Sequence, residues 1–460
     1  MNSSVKLAAR LENLVGRGHV LGSEVELRDY VIDGCIPAAI ARPASAEQVA
    51  EVVRFAGSEK LVVVCCGSRS KLEIGMPPRR YDLALDLSGL VEVAHYDPAD
   101  LTLSVDAGLR LSELATVLAA KGQFLPLMPP CFGASTVGGT IASGMDFALR
   151  LQYGSARDFL IGAEFVDGKG QLCKSGGRVV KNVTGYDIHK LLIGSQGTLA
   201  AITRLNFRTF PLPELSAGLL ASFRSSESAF TFRKEILDSG LPFASVEVFD
   251  PEFATLLTNV CKRMDSNALE PHASRQWSIY AAFNGNEAVV GRVHRELQAR
   301  ANRAAAATAE FLDQRANNSL NAGLREAFDW LRRATPNVAL LRISQLGFTP
   351  AQVEDLQKGI PQSPLRSAFL FNGCGTALLA LLCEDDGASG REALEQRLTE
   401  LLQRLNGGPG SATLLHAPSW LKTRCNVWGA PPPDFRLMQR VKAAFDPENT
   451  FSPGRFVGGI

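Results

Sequence analysis

The chain reads as an α+β protein of two or three domains, on three observations. Its 460 residues exceed what one ordinary hydrophobic core accommodates. Segments of strand period and of helix period are interleaved along most of its length. Between Gly122 and Met145 runs a charge-free stretch that holds five glycines together with Pro126, Pro129 and Pro130. That stretch is long enough to cross a bilayer, but its prolines and glycines forbid a regular spanning helix. A soluble chain leaves so long a run uncharged when it is buried or faces a ligand.

The elements follow in order. Ser45 and Gln48 form a capping box for a helix that carries Val49, Val52, Val53 and Ala56 on one face. Leu61 to Cys66 is a short strand of the buried type, and Gly67-Ser-Arg-Ser-Lys71 is the turn after it. From Tyr81 to Leu87 the chain alternates, with Tyr81, Leu83, Leu85 and Leu87 on one face and Asp82 and Asp86 on the other. Leu101, Leu103 and Val105 repeat the pattern, and Leu111 to Ala120 is an amphipathic helix stopped by Gly122. Asp167-Gly168 joins the strands 163–166 and 171–174 as a hairpin. A strand from Leu199 to Phe210 closes the region, and Pro211 and Pro213 mark a boundary.

In the second half, 245–249, 277–283, 338–343 and 368–382 read as strands. The stretches 287–311, 350–358 and 391–405 read as helices, the second opened by Thr349 and Pro350. Strands with two or three helices suggest a sheet covered on one face. Gly407-Gly-Pro-Gly410 is a hinge, and one more helix precedes the tail Phe445 to Arg455.

Bulk properties exclude several function classes. A formal net charge of +1 gives no broad attraction to nucleic acid or to an anionic membrane. Met1 to Val20 mixes charged and apolar residues without a hydrophobic signal core, so the cytoplasm is the expected address and no integral membrane segment is expected. Nine scattered cysteines include no Cys-x-x-Cys pair, so neither a zinc ribbon nor an iron–sulfur ligand run is legible and no metal is expected. The six histidines show no chelating local spacing.

The chemistry is carried by four segments of the first half. Backbone amides of the turn Gly67-Ser-Arg-Ser-Lys71 can cradle a pyrophosphate, with Arg69 or Lys71 as countercharge. The run Ala134-Ser-Thr-Val-Gly-Gly-Thr-Ile-Ala-Ser-Gly144 allows close backbone approach to an anion, so a phosphate-bearing cofactor and a buried Gly-rich loop are both open readings. Tyr153-Gly-Ser-Ala-Arg157-Asp158 leads into the hairpin. Gly176 to Asp187 reads Gly-Gly-Arg-Val-Val-Lys-Asn-Val-Thr-Gly-Tyr-Asp, and Gly194-Ser-Gln-Gly-Thr-Leu199 follows. Neither a Walker loop nor a Rossmann glycine pattern is present.

This ordered set resembles the vanillyl-alcohol oxidase/p-cresol methylhydroxylase (PCMH) superfamily of FAD proteins. Within it, Lys181-Asn182 with Gly185-Tyr186-Asp187 and the terminal Asp446-Pro and Pro453-Gly-Arg455 resemble the FAD-binding subunits of bacterial glycolate oxidases. The resemblance implies a two-lobed PCMH-type FAD-binding domain over 1–213, with lobes of about 35–125 and 126–213. A ferredoxin-like α+β cap over 214–410 would follow, and then a C-terminal segment, 411–460, returning to the FAD domain. It implies that Gly67, Ser68, Arg69, Ser70 and Lys71 hold the FAD phosphates, and that Thr136, Gly138, Gly139, Ser143 and Gly144 line the diphosphate and ribityl chain. Arg157 and Asp158 would support that wall, and Gly197 and Ile202 would lie near the adenine or flavin edge.

Many relatives bond flavin covalently to a His in the first turn. Here that turn carries Arg69 and Ser70, so noncovalent FAD is expected. Cys131 stands too far from Thr136 for the second covalent bond that some relatives make. Related 2-hydroxy-acid dehydrogenases carry a His-x-x-Gly-Asp-Gly-x-x-His metal motif, which this sequence lacks. The implied role is therefore a subunit that relays electrons from a sister flavoprotein to an iron–sulfur partner during oxidation of a glycolate- or D-lactate-class 2-hydroxy acid, peripheral to the inner membrane through those partners. A self-sufficient oxidase, with Lys181, Asn182, Tyr186 and Arg455 as polar groups near the flavin, is the alternative. A non-catalytic protein that has kept the fold is a third.

Overall fold

The computed structural model describes residues 3–145, 149–178, 185–264, 276–345, 347–357, 364–408 and 410–460. The α+β reading holds: three larger sheets and their helices follow one another along the chain.

The first sheet runs Val20–Leu21, Ala39–Ala41, Leu83–Asp86, Val63–Cys66, and its last three strands are parallel. Parallel neighbours need a crossover, and the helix Ala46–Ser58 supplies it. Ser45 caps that helix, its hydroxyl accepting from Gln48 N at 3.3 Å. The box is offset by one residue: the Gln48 side chain accepts from Ala44 N at 2.7 Å. Val49, Val52, Val53 and Ala56 are fully or nearly fully buried against the sheet, as their spacing predicts. The five-stranded second sheet is antiparallel, ordered His95–Asp97, Thr102–Asp106, Ala201–Arg208, Leu160–Val166, Leu172–Gly176. Its hairpin turns at Asp167, whose carboxylate accepts from Lys169 N and Gln171 N.

The third sheet has eight antiparallel strands. Their order is Thr308–Leu312, Leu215–Phe223, Trp277–Gly285, Phe243–Phe249, Leu365–Asn372, Thr376–Cys383, Asn337–Ser344, Ser411–His416. Helices were expected on one face; they cover both. Ala217, Leu219, Ala221 and Phe223 point to a core shared with the helices Ser226–Leu237, Glu287–Arg303 and Ala388–Asn406. Leu220, Tyr280 and Leu378 point to the opposite core, shared with Pro251–Met264 and Gln314–Leu331 and with Ile74, Cys131 and Met145 of the first half. A sheet buried on both sides has no polar face, which is why its strands read as continuous apolar runs.

Two further readings are corrected. The apolar run 368–382 is two strands, hinged at Gly375 with φ +77°. The helical reading 287–311 ends at Arg303, and Thr308–Leu312 is an edge strand. Past residue 410, the strand Ser411–His416 pairs with Asn337–Ser344. Near the end of the chain, Val63 N donates to Thr450 O, Ser452 N donates to Val63 O, and Phe451 is fully buried among the residues of the first sheet.

Candidate active site

The strand Val63–Cys66 delivers the turn 67–71 to the end of the small parallel sheet, and three distant segments meet it there. They are the helix Val137–Ser143, the loop 194–198 and Arg455. Together they line a cleft of about 780 Å³, counting the space at its mouth.

Close backbone approach builds this cleft. A Cβ on Gly67 would stand 2.5 Å from Thr136 Oγ1. The run expected as a loop is a short helix, because Thr136 caps it by accepting from Gly139 N at 3.2 Å and Gly144, at φ +62°, ends it. Gly138 N donates to Ala107 O at 2.8 Å, and a Cβ on Gly138 would lie 2.6 Å from Ala107 Cβ. Gly138→Ala should therefore cost about 1–3 kcal/mol of stability, read as a lower melting temperature. The loop 194–198 is tied to the same helix: Gly194 N donates to Ile141 O, Gln196 N to Ala142 O, and the Gln196 side chain to Ser143 O.

Two cations on the cleft wall lack counterions. Lys71 Nζ bonds only hydroxyls, Ser135 Oγ at 2.5 Å and Ser70 Oγ at 3.2 Å, and burial lowers its pKa to about 8. Arg455 donates to three main-chain carbonyls, Leu72 O at 2.6 Å, Ile74 O at 2.9 Å and Met76 O at 3.2 Å, and burial lowers its pKa too. Neither has a carboxylate within ion-pair distance among the described residues. Arg69 is different. It adopts φ +65°, lies over the Tyr30 ring at 4.4 Å and stands 3.9 Å from Asp86. Alternation placed Asp86 on a polar face. It is fully buried instead, because Tyr30 OH, Arg42 Nε and Ser88 N all donate to it. An uncompensated cation pair in a partly dry cleft is a site for an anion.

Of the residues singled out from sequence, Gly67, Ser68, Arg69, Ser70, Lys71, Thr136, Gly138, Gly139, Ser143, Gly197, Ile202 and Arg455 line this cleft. Gly144 lies behind it as the helix cap, packed against Gly194. Arg157 and Asp158 do not reach it. Both are exposed, and Asp158 caps its own turn by accepting from Ser155 N and Oγ. Tyr186 is 89% exposed, and Lys181 and Asn182 lie outside the described residues. His189 is a packing residue, buried with Nδ1 3.1 Å from Ser175 Oγ. Sequence reasoning missed Gln196, Cys65 and Cys66 in the wall. The glutamine's left-handed backbone, φ +54° beside Gly197 at +66°, had no signal beyond the neighbouring glycine. Burial pushes the Cys65 thiol up to about 12 and Cys66 well up, so both are protonated and poor nucleophiles. Among the described residues no helix is long and apolar enough to cross a membrane.

Known proteins share this architecture. Residues 37–176 match the FAD binding domain, and residues 375–456 match the C-terminal domain of FAD linked oxidases. Glycolate oxidase subunit GlcD of Bacillus subtilis is 24% identical over 426 residues, covering 91% of this chain and 89% of that protein. Glycolate oxidase subunit GlcE of Escherichia coli is 33% identical over 201 residues, covering 44% of this chain and 57% of that protein. The crystal structure of p-cresol methylhydroxylase with substrate bound has the same fold, with a TM-score of 0.77 at 16% identity over 99% of this chain and 97% of that one. The chain is an FAD-linked oxidoreductase, with an FAD binding domain and the C-terminal domain of the FAD linked oxidases.

Proposed function

We propose that the chain serves the oxidation of small 2-hydroxy acids as the FAD-binding subunit of a glycolate oxidase-like complex, with FAD held noncovalently in the cleft and electrons relayed from a sister flavoprotein to an iron–sulfur partner. The observation that carries this reading is the meeting of glycine-built backbone with Lys71 and Arg455, two cations without counterions, on one cleft. When bound, FAD accepts the two electrons of the oxidation. The turn 67–71 and the N-terminal turn of the helix Val137–Ser143 would hold its pyrophosphate, and Lys71 would supply the countercharge. Among the described residues the wall offers no His, and desolvation holds its two thiols protonated, which supports release of intact FAD on denaturation. The part that binds FAD would end near 213, where the chain passes from the strand Phe210–Pro211 into the eight-stranded sheet at Leu215.

The names of both bacterial relatives support subunit status and the glycolate class. A second reading, oxidation on this chain rather than on a sister flavoprotein, is favoured by a cavity beside the cleft that holds an unpaired Arg325. An absorption spectrum separates the readings. The purified chain should show flavin bands, and acid precipitation should release the flavin into the supernatant. Anaerobic glycolate or D-lactate that leaves the bands oxidised supports the relay; bleaching assigns the substrate site to this chain. No flavin after incubation with FAD would reject both.

A further inference from the structure

The cleft leaves a second cavity, of about 660 Å³ counting the space at its mouth, without an assignment. The two are neighbours. Ile74 lines the cleft and shares an apolar cluster with Phe253, Phe328 and Leu378 of the second cavity. Pro130 lines the second cavity, and its carbonyl accepts from Ser135 Oγ, the hydroxyl that Lys71 contacts.

Its floor is the eight-stranded sheet and its roof the helix Gln314–Leu331. From the floor comes Glu247, paired between Tyr280 and Asn372 and 3% exposed. Its carboxyl makes no hydrogen bond among the described residues; Arg233 acts on it only as a more distant charge, and burial raises its pKa well above the usual carboxylate range. Burial favours its neutral form, which has a proton to donate and no acceptor among the described residues. Thr376 Oγ1, on the same floor, is buried without a partner. From the roof comes Arg325. Its guanidinium lies over the Phe132 ring at 5.0 Å, its nearest polar contact is Met128 Sδ at 3.9 Å, and no carboxylate pairs with it among the described residues. Glu247 and Arg325 do not pair with each other either. Buried polar groups without hydrogen bonds cost stability, so Glu247 and Thr376, beside an arginine held by a thioether and a ring but by no carboxylate among the described residues, call for a ligand that satisfies all three. Apart from Asn321 and Asn372, the rest of the lining is apolar, with Phe253, Phe328, Leu370 and Leu378.

We propose that this cavity binds a 2-hydroxy or 2-oxo monocarboxylate with an apolar side chain, its carboxylate on Arg325 and its neighbouring oxygen on Glu247 and Thr376. This rests on the reading of the chain as an oxidoreductase of 2-hydroxy acids, and it places the substrate site here rather than on a sister subunit. The apolar lining suits a branched side chain better than glycolate has to offer. A dicarboxylate would bring a second charge into a space that offers one cation.

The test is calorimetric titration of the purified chain with 2-oxo-4-methylpentanoate, glyoxylate and 2-oxoglutarate, with FAD content measured on the same sample. The branched acid should bind one to one and about tenfold or more tighter than the other two. Arg325→Met should weaken it on the order of 10- to 100-fold, with FAD content unchanged. Glu247→Gln, which keeps a donor, should stay within about threefold, while Glu247→Leu loses about tenfold. Absence of branched-acid binding to an FAD-loaded chain would overturn this assignment and leave the FAD reading standing. So would equal binding of the neutral ketone 4-methylpentan-2-one, or indifference to Arg325→Met. Absence of FAD would overturn the functional reading, while the same titration still decides the cavity.

Discussion

Lys442→Met should destabilise the protein by about 3–5 kcal/mol, a fall in melting temperature on the order of 10 °C. Lys442 is buried and donates to Asp446 Oδ2 at 2.5 Å, to Thr198 O at 2.7 Å and to Phe451 O at 2.9 Å. The Asp446 carboxylate, 1% exposed, also accepts from Thr450 N and Phe451 N. Removing the ammonium leaves a carboxylate buried without its cation, and that cost exceeds the net value of the pair. An apolar swap of both partners should not restore stability. Asp446→Leu strands two buried amides, so the double variant should be about as unstable as either single one. Thermal unfolding of the three variants checks this. A loss under about 1 kcal/mol for Lys442→Met would show that the pair is hydrated and the return of the tail loosely held.

Lys71→Met should raise the dissociation constant for FAD by about 10- to 100-fold at pH 7 and flatten its pH dependence. The sign follows from the lowered pKa. With the free chain's Lys71 near 8, the charge that attracts a phosphate is present below that pH and fades above it. Wild-type affinity should therefore weaken from pH 7 to pH 9, while the variant changes little. Stability moves the other way. The ammonium is held in a partly dry wall at a folded pKa below its unfolded value of about 10.4, a cost present wherever the unfolded lysine is charged. FAD-free Lys71→Met should then melt higher than the FAD-free parent. Equilibrium dialysis at three pH values and a melting curve test both halves. Equal affinity at all pH values in wild type and variant would exclude Lys71 from the phosphate site.

The lining of the cleft was legible in sequence because glycine has few uses. The residues Gly67 and Gly139 stand against the Thr136 side chain and Gly138 against Ala107, where an added Cβ would have to displace its neighbour. The helix Ala46–Ser58 was legible because one of its faces is polar and the other apolar. The cap was less so. Its strands are buried on both faces, so 368–382 lost the alternation that would have shown its turn, and Leu215–Phe223 gave no contrast with its surroundings. Arg157 and Asp158 were drawn in by motif, whereas the structure uses Asp158 as a local cap. Glu247, Arg325 and Thr376 come from a central strand, a helix and another strand. No spacing rule joins them, and only the packed sheet and helix bring them to one space.

Arg455 joins the cleft by bonding to Leu72 O, 383 positions earlier in the chain. During synthesis the turn 67–71 emerges early, but its wall is incomplete until the ribosome has passed residue 455 and the strand-like tail lies along Val63. The same tail completes the core of the first sheet through the buried Phe451, so the cleft wall and the packing beneath it close together. Cleavage near Arg455 thus acts on the wall of the cleft and on the first core alike.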